Sequence, residues 1–331
     1  MSDRPSEDDL IARYFAPLAG PGGLGLRDDA ALLAPPPGCE IVATVDGLVA
    51  GVHFFADDPP EAIARKALRV NLSDIAAKGA TPLGFLLTLA LPRDWRPDWL
   101  AAFAQALGED AAAFDCPLLG GDTVSTPGPL MLSITALGCV PAGRMVRRDG
   151  ARAGDALYVS GTIGDATLGL QMRNAGLQAR SEPEGSRSGA AFLIDRYLVP
   201  QPRLALVPAL REHASGAMDV SDGLVGDLTK MLRVSGACAE VELARIPLSA
   251  AAQAVIAGEP GLLRTALTGG DDYEILASVP QRKAEAFEAA AHAAGVAVAR
   301  IGVVTAGQGA PVFRDARGSS MSFERGSYSH F

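Results

Sequence analysis

The sequence predicts an α/β or α+β protein of two domains, and three observations carry that expectation. β-rich and helical stretches interleave along both halves of the chain. The 331 residues amount to about two domains at roughly 150 residues each. A turn-rich stretch, AGRMVRRDGARAGD (142–155), interrupts the alternation near the middle. The expected division is residues 1–149 and 150–331.

The elements follow in order. DDLIARYFAP (8–17) has apolar residues at helical spacing and predicts a short helix. AGPGGLGLRDDAALLAPPPG reads as a flexible glycine- and proline-rich loop, and EIVATVDGLVAGVHF (40–54) is β-rich. Residues 59–80 predict a helix: proline at the start, apolar residues at helical spacing, and Gly79 as the stop. GFLLTLALP predicts a strand, 97–114 a helix, and PLMLSITALGCV (129–140) a strand ending at Pro141. In the second half ALYVSG opens as a strand and TIGDATLGLQMRNAG begins a helix. QARSEPEGSRSGAA (178–191) reads as a polar surface loop. VPQPRLALVPALREHA predicts a proline-started helix, and GAMDVSDGLVGDLTKMLRVSG a strand, a turn and a helix. AEVELARIP, YEILASVP and VAVARIGVV are strands, with helices at 249–257 and 281–294.

Composition excludes several classes. A net charge of −9 disfavours nucleic acid, which needs a basic face. The apolar runs are far shorter than the ~20 residues that span a bilayer, and MSDRPSEDDL is too acidic and polar for a signal peptide. Cys39, Cys116, Cys139 and Cys238 form no C-x-x-C pair, so a reduced, cytoplasmic protein without a zinc or redox pair is expected. An acidic chain that handles an anion needs local positive features, such as metal ions or helix N-termini.

The carboxylates carry the chemistry. Asp28, Asp29, Asp46, Asp74, Asp122, Asp219, Asp222, Asp271 and Asp272 each read as lying where an apolar run meets a glycine or a helix start. Helix capping accounts for any one of them, and for Asp227 it is the simpler reading. Recurrence of the pattern points further. MDVSDGLVGDL (218–228) holds three aspartates with no lysine or arginine among them. Carboxylates that converge on one cleft repel unless divalent cations lie between them. Oxygen donors without a His/Cys cluster favour Mg²⁺ over zinc, and Mg²⁺ held by few carboxylates usually also takes substrate phosphate. No P-loop, G-x-S-x-G or H-E-x-x-H occurs. Gly20–Gly25 matches G-x-G-x-x-G but follows a helical stretch and precedes an acidic turn, so it is no dinucleotide fingerprint. His53, beside the Asp46 strand, reads either as a structural histidine or as a substrate contact.

LGLRDDAAL, ATVDGLVAGVHF, KALRVNLSDIAAKGA, LLGGDT, RRDGARAGD, YVSGTIGDA, MDVSDGLVGDL and LTGGDDYEI occur in this order. With them the chain resembles the thiamine-monophosphate kinase family over essentially its whole length. Each motif alone is weak, and the ordered set is specific. The resemblance implies the fold of a superfamily that includes aminoimidazole ribonucleotide synthetase, selenophosphate synthetase and the hydrogenase maturation ATPase. That fold has an N-terminal sheet domain, for ATP and metal binding and dimerisation, and a C-terminal α/β domain. The resemblance implies several Mg²⁺ ions, with ligands at Asp29, Thr44, Asp46, Asp74, Asp122, Asp219 and Asp222. It implies ATP contacts at Gly121, Asp122, Arg148 and Ser221. It further implies thiamine monophosphate contacts at His53, Asp271 and Phe323, and a cytoplasmic homodimer. Three departures stand out. Val45 stands where relatives often carry a second hydroxyl residue, Asp271 where glutamate is usual, and Phe323 is the nearest match to a C-terminal tryptophan.

The implied reaction moves the ATP γ-phosphate to thiamine monophosphate, giving thiamine diphosphate and ADP. A phosphate monoester has a second pKa near 6, so the acceptor is largely dianionic at neutral pH and no general base is expected. Charge neutralisation is the requirement. Two alternatives remain at this stage. Among sister enzymes, residues 18–30 lack the cysteine expected of a selenophosphate synthetase, the chain ends SYSHF without the terminal cysteine of the maturation ATPase, and only motif detail sets aside aminoimidazole ribonucleotide synthetase. The other alternative is a non-catalytic cation- or nucleotide-binding module.

Overall fold

The computed structural model describes residues 6–176, 189–323 and 326–327. The chain divides into two compact units, Met1–Ile75 with Ala80–Gly143, and Ala76–Gly79 with Arg144–Phe331.

The first unit contains α1 (Glu7–Leu10), β1 (Cys39–Val49), all but the last two residues of α2 (Pro60–Ala77), β2 (Thr81–Pro92), α3 (Pro97–Ala113), β3 (Leu118–Thr126) and β4 (Met131–Pro141). Its sheet runs β1-β4-β2-β3. Only β2 and β3 pair in parallel, and α3 supplies the crossover that a parallel pair requires. In β2, Phe85, Leu87, Leu89 and Leu91 are at most 4% exposed, whereas Leu86 and Thr88 between them face outward. This is the period-two pattern of a strand with one covered face. Helices cover that face: Asp74 of α2 reaches β1, and Arg65 and Arg69 of α2 clamp the buried Asp110 of α3 at 2.5–2.9 Å. Val45, Thr135, Leu86 and Gly120 form one row across the outer face.

The second unit contains β5 (Ala156–Ser160), α4 (Asp165–Asn174), α5 (Gly189–Leu198), α6 (Val207–His213), β6 (Gly216–Val220), α7 (Leu224–Ser235) and β7 (Cys238–Glu242). It continues with α8 (Ala250–Gly258), α9 (Leu262–Thr268), β8 (Glu274–Val279), α10 (Ala284–Ala293), β9 (Val298–Thr305), β10 (Val312–Arg314) and β11 (Ser320–Met321). The seven-stranded sheet runs β11-β10-β7-β9-β5-β8-β6. Both faces are covered. Leu157, Met218 and Leu276 pack with Leu224, Leu228 and Met231 of α7. Their neighbours Tyr158, Ala217 and Ile275 pack on the other side with Leu210 of α6 and Phe287 of α10. β5 and β6 are each antiparallel to β8, so their carboxyl ends and the start of β8 lie at one end of the sheet.

Several expectations need correction. Asp46, Asp74 and Asp122, read as lying where an apolar run meets a glycine or a helix start, do not mark such a junction; they lie inside β1, α2 and β3. The Gly20–Gly25 stretch is not a loose loop: Gly20 leads into a 3₁₀ segment, Pro21–Leu26, fitted to β3. Gly20 N–H donates to Leu118 O at 2.8 Å, and a Cβ on Gly23 would lie 2.9 Å from Leu119 O. The 178–191 stretch ends inside α5, while its residues 178–188 lie outside the described residues. The proline-started helix begins later than expected, after a 3₁₀ turn at Leu204–Leu206. No helix among the described residues is long and apolar enough to cross a membrane.

Candidate active site

Edge strand β1 turns Thr44 and Asp46 to the covered face and leaves Val45 exposed. Thr44 Oγ1 donates to Asp74 Oδ2 at 2.5 Å, and the Asp46 carbonyl accepts from Ser133 Oγ at 3.0 Å. The turn after β1 carries His53. Val49 N–H donates to His53 Nδ1 at 3.1 Å, and the buried Lys66 donates to His53 O at 3.1 Å. An accepting Nδ1 leaves the proton of the neutral ring on Nε2. His53 therefore has a structural tie on one nitrogen and a donor on the other.

The opposite edge carries a second group. Asp122 pairs with Thr88 and faces outward. A cavity of about 710 Å³ lies over this face, lined by Asp28, Asp29, Thr88, Gly121, Asp122 and Thr135 among others. Three strand spacings, about 14 Å, separate β1 from β3, and Asp46 and Asp122 face opposite sides. Within this unit they form separate groups. Gly121 permits the close pairing of β3 with β2, since a Cβ there would lie 1.9 Å from Leu87 O. Gly121→Ala is expected to cost about 3 kcal/mol, the upper end of the overpacking range. A lowered calorimetric unfolding midpoint reports that cost, and an unchanged midpoint argues against the tight pairing.

In the second unit, β6 delivers Asp219, buried within the strand, and the chain then turns through Ser221, Asp222 and Gly223 into α7. Gly223 has φ +121°, and a Cβ on it would lie 2.6 Å from the Thr268 backbone. Asp227, fully buried one turn into α7, folds back to accept the N–H groups of Asp222 and Gly223 at 2.9 and 3.1 Å. It thereby caps the turn. Lys230 donates to Asp227 Oδ1 at 2.9 Å and makes a shorter contact with Asp222 Oδ2. Burial pushes the Asp227 carboxyl up, against the pull of Lys230 and the Asp222 N–H.

The GGDDYE segment clasps this turn. Asp271 N–H donates to Ser221 O and Tyr273 N–H to Val220 O, both at 2.8 Å. Asp271 and Tyr273 have φ of +73° and +51°, a region that side-chain-bearing residues mostly avoid. The two hydrogen bonds help hold that strained backbone in place. Behind the clasp, Asp272 accepts from Gly164 N–H at 2.7 Å and Ala166 N–H at 3.3 Å at the start of α4. Complete burial holds its carboxyl well above the usual range. Glu274, also fully buried, accepts from Ser160 Oγ at 2.6 Å, Arg203 Nε at 2.6 Å and Arg196 Nη2 at 2.8 Å.

Among the described residues no three His, Cys, Asp or Glu side chains stand close enough to hold an ion. The oxygen donors come in small sets: Thr44 with Asp74, the aspartates of the cavity, and Asp222 on its turn. Mg²⁺ bound together with a phosphate ligand uses one or two carboxylates, the rest being phosphate and water. The donor chemistry fits that arrangement and not a closed protein cage.

The comparisons with known proteins agree with this architecture. Residues 27–140 match the family model "AIR synthase related protein, N-terminal domain", and residues 152–314 match its C-terminal counterpart. A thiamine-monophosphate kinase of Caulobacter vibrioides is 44% identical over 95% of this chain and 88% of its own length. One from Salmonella typhimurium is 40% identical over 98% of each. The chain belongs to the thiamine-monophosphate kinase family. The crystal structure of the thiamine-monophosphate kinase from Stenotrophomonas maltophilia is similar with a TM-score of 0.81, at 38% identity over 89% of this chain and 91% of that one. A structure described as "AaThiL complexed with AMPPCP and TMP" covers all of both chains at TM-score 0.78 and 28% identity. The hydrogenase maturation protein HypE in complex with ATP has TM-score 0.78 at 22% identity, over 97% of this chain and 94% of its own. That likeness speaks for the fold alone.

The thiamine-monophosphate kinase resemblance carried roles onto scattered residues, and the structure groups only some of them. Asp29, Gly121 and Asp122 share the cavity; Thr44 and Asp74 bond to one another; Ser221, Asp222 and Asp271 share the clasped turn. Within the second unit Arg148 does not join the clasped turn. Its carbonyl accepts from Ser235 Oγ at the far end of α7, and the twelve residues of that helix put about 18 Å between it and Asp222. Phe323 is already engaged: it packs edge-on against Phe313 at 5.1 Å, with the Arg264 guanidinium 5.8 Å from its ring. Tyr328, His330 and Phe331 lie outside the described residues.

Lys230 is the site residue that reading only 218–228 misses. Asp222 does face a counter-charge supplied by the sequence. The signal was the i,i+3 spacing of Asp227 and Lys230, which puts both on one helix face.

Proposed function

We propose that the chain catalyses Mg²⁺-dependent transfer of the ATP γ-phosphate to thiamine monophosphate, giving thiamine diphosphate and ADP. The observation that carries this is the match, at 40–44% identity over nearly the whole chain, to relatives named for that activity. The first unit is the ATP- and metal-binding and dimerisation domain in this reading. Asp29, Thr44, Asp46, Asp74, Asp122, Asp219 and Asp222 are the residues that would hold Mg²⁺. When bound, the metal supplies positive charge to the phosphate oxygens.

The chain's own residues do the rest. Gly121, Asp122 and Ser221 contact the nucleotide in this reading, and exposed Arg148 offers a guanidinium to phosphate. His53 presents its Nε2 proton to the acceptor. Asp271, held in its strained backbone by Ser221, complements the cationic thiazolium. No general base is needed, because the attacking phosphate oxygen already carries charge. The homodimer forms through the outer face of the first unit's sheet, where Ile41, Val45, Leu86 and Val124 are exposed apolar residues. Light scattering at twice the chain mass is the corresponding result.

A coupled ADP-release assay tests the activity. ADP release is expected only when ATP, Mg²⁺ and thiamine monophosphate are all present. Release at the same rate without thiamine monophosphate contradicts the assignment and favours a sister ATPase. Nucleotide binding with no release under any condition favours a binding module.

A further inference from the structure

We propose that Lys230 is a built-in rival of the metal at Asp222, so that this site takes the cation with phosphate attached in preference to the bare ion. This rests on the reading of Asp222 as a magnesium ligand. The ammonium of Lys230 sits on Asp222 Oδ2, an oxygen that Mg²⁺ would use. It is held there by a second carboxylate, Asp227 Oδ1, at 2.9 Å. Asp227 is fully buried and tied to the turn by two backbone N–H groups, so the anchor stays when Asp222 is taken by a cation. About a third of the Lys230 side chain is exposed (32%). An ammonium has three protons to donate, so one remains beyond the two carboxylates.

The consequence is electrostatic. A bare Mg²⁺ at Asp222 meets a fixed positive charge a few ångströms away and must displace it from the carboxylate. A metal that arrives with phosphate brings negative charge to the same place, and the ammonium changes partner in place of losing one. Lys230 thus lowers affinity for the free ion and leaves affinity for the metal–phosphate pair largely intact.

The test is nucleotide-free Mn²⁺ binding to the full chain, followed by electron paramagnetic resonance of the free ion. The variants are Lys230→Gln, Lys230→Arg and Asp222→Asn. Glutamine keeps a donor for Asp227 but removes the charge. Lys230→Gln is expected to bind Mn²⁺ at least about tenfold tighter, from a unit charge acting on a divalent ion at roughly 5 Å in a water-like dielectric. Lys230→Arg is expected to bind like the parent. Asp222→Asn is expected to bind more weakly than the parent.

If Asp222→Asn weakens binding while Lys230→Gln leaves it equal or weaker, the rivalry is wrong and Asp222 remains a ligand. If adding Asp222→Asn to Lys230→Gln leaves the tighter Mn²⁺ binding of Lys230→Gln unchanged, the ligand reading fails and the inference with it. The unmodified protein gives a second measurement that needs no neutral variant to fold. With only four lysines in the chain, the Lys230 ammonium resonance is identified by its loss in Lys230→Arg. It is expected to shift on saturation with Mg²⁺; an unmoved resonance overturns the proposal.

Discussion

Asp222→Asn is expected to cut turnover by about a thousandfold while the chain stays folded. A metal ligand contributes several kcal/mol of charge stabilisation to phosphoryl transfer, and each 1.36 kcal/mol is about tenfold in rate. The fold has little at stake in this side chain. Its carboxylate is 38% exposed, and an exposed pair such as Asp222–Lys230 contributes roughly 0–1 kcal/mol. The turn is held by the Asp222 backbone N–H on Asp227, which asparagine leaves in place. Asp74→Asn is expected to behave likewise, because its amide oxygen still accepts from Thr44 Oγ1. Steady-state turnover at saturating Mg²⁺, with a circular-dichroism melt of each variant, checks both. Near-parental turnover in either variant removes that residue from the metal set.

The largest effect on stability is expected from Glu274→Ala. Glu274 is fully buried, and its two oxygens satisfy Ser160, Arg196 and Arg203. Removing one partner of a buried ion pair costs about 3–5 kcal/mol, because the charges left behind have no water to return to. Arg196, 9% exposed at its side chain, is the group stranded most deeply. For a unit of this size the loss corresponds to a midpoint lower by about 10 °C. Ser160 also accepts from Ile275 N–H at 2.8 Å, so the same change loosens the start of β8 and with it the Asp271 clasp. Differential scanning calorimetry reads the midpoint. An unshifted midpoint would show that the cluster relaxes into water, contrary to its burial.

Much of this architecture is legible in the sequence where hydrophobic period and stop signals agree. The helix ending at Gly79 is such a case, since Gly79 adopts φ +67° where the chain must leave α2. The strands of the second half are another, because alternating residues of β5, β6 and β8 divide cleanly between two cores. Legibility fails where glycine serves close packing in place of a turn. LLGGD looks like the end of an apolar run, yet Gly121 lies inside β3 because only a missing side chain lets that strand approach Leu87. It fails also for short elements whose stability comes from neighbours. α9 and the two-residue β11 have too few residues to show a period. The site's chemistry is visible as a list of aspartates, but its grouping is not. Strand order, which no local signal fixes, decides that Asp122 lies beside the cavity and Asp46 on the far edge. The Lys230–Asp222 contact spans eight residues through a turn whose shape depends on Asp227 and on the GGDD loop.

The most direct measurement follows the γ-phosphate itself. The purified chain is incubated with γ-labelled ATP, Mg²⁺ and thiamine monophosphate, and the products are separated by chromatography. The expected result is label in thiamine diphosphate, in step with ADP formed. Label appearing only as inorganic phosphate, or remaining in ATP with the folded protein saturated in both ligands, would contradict the account.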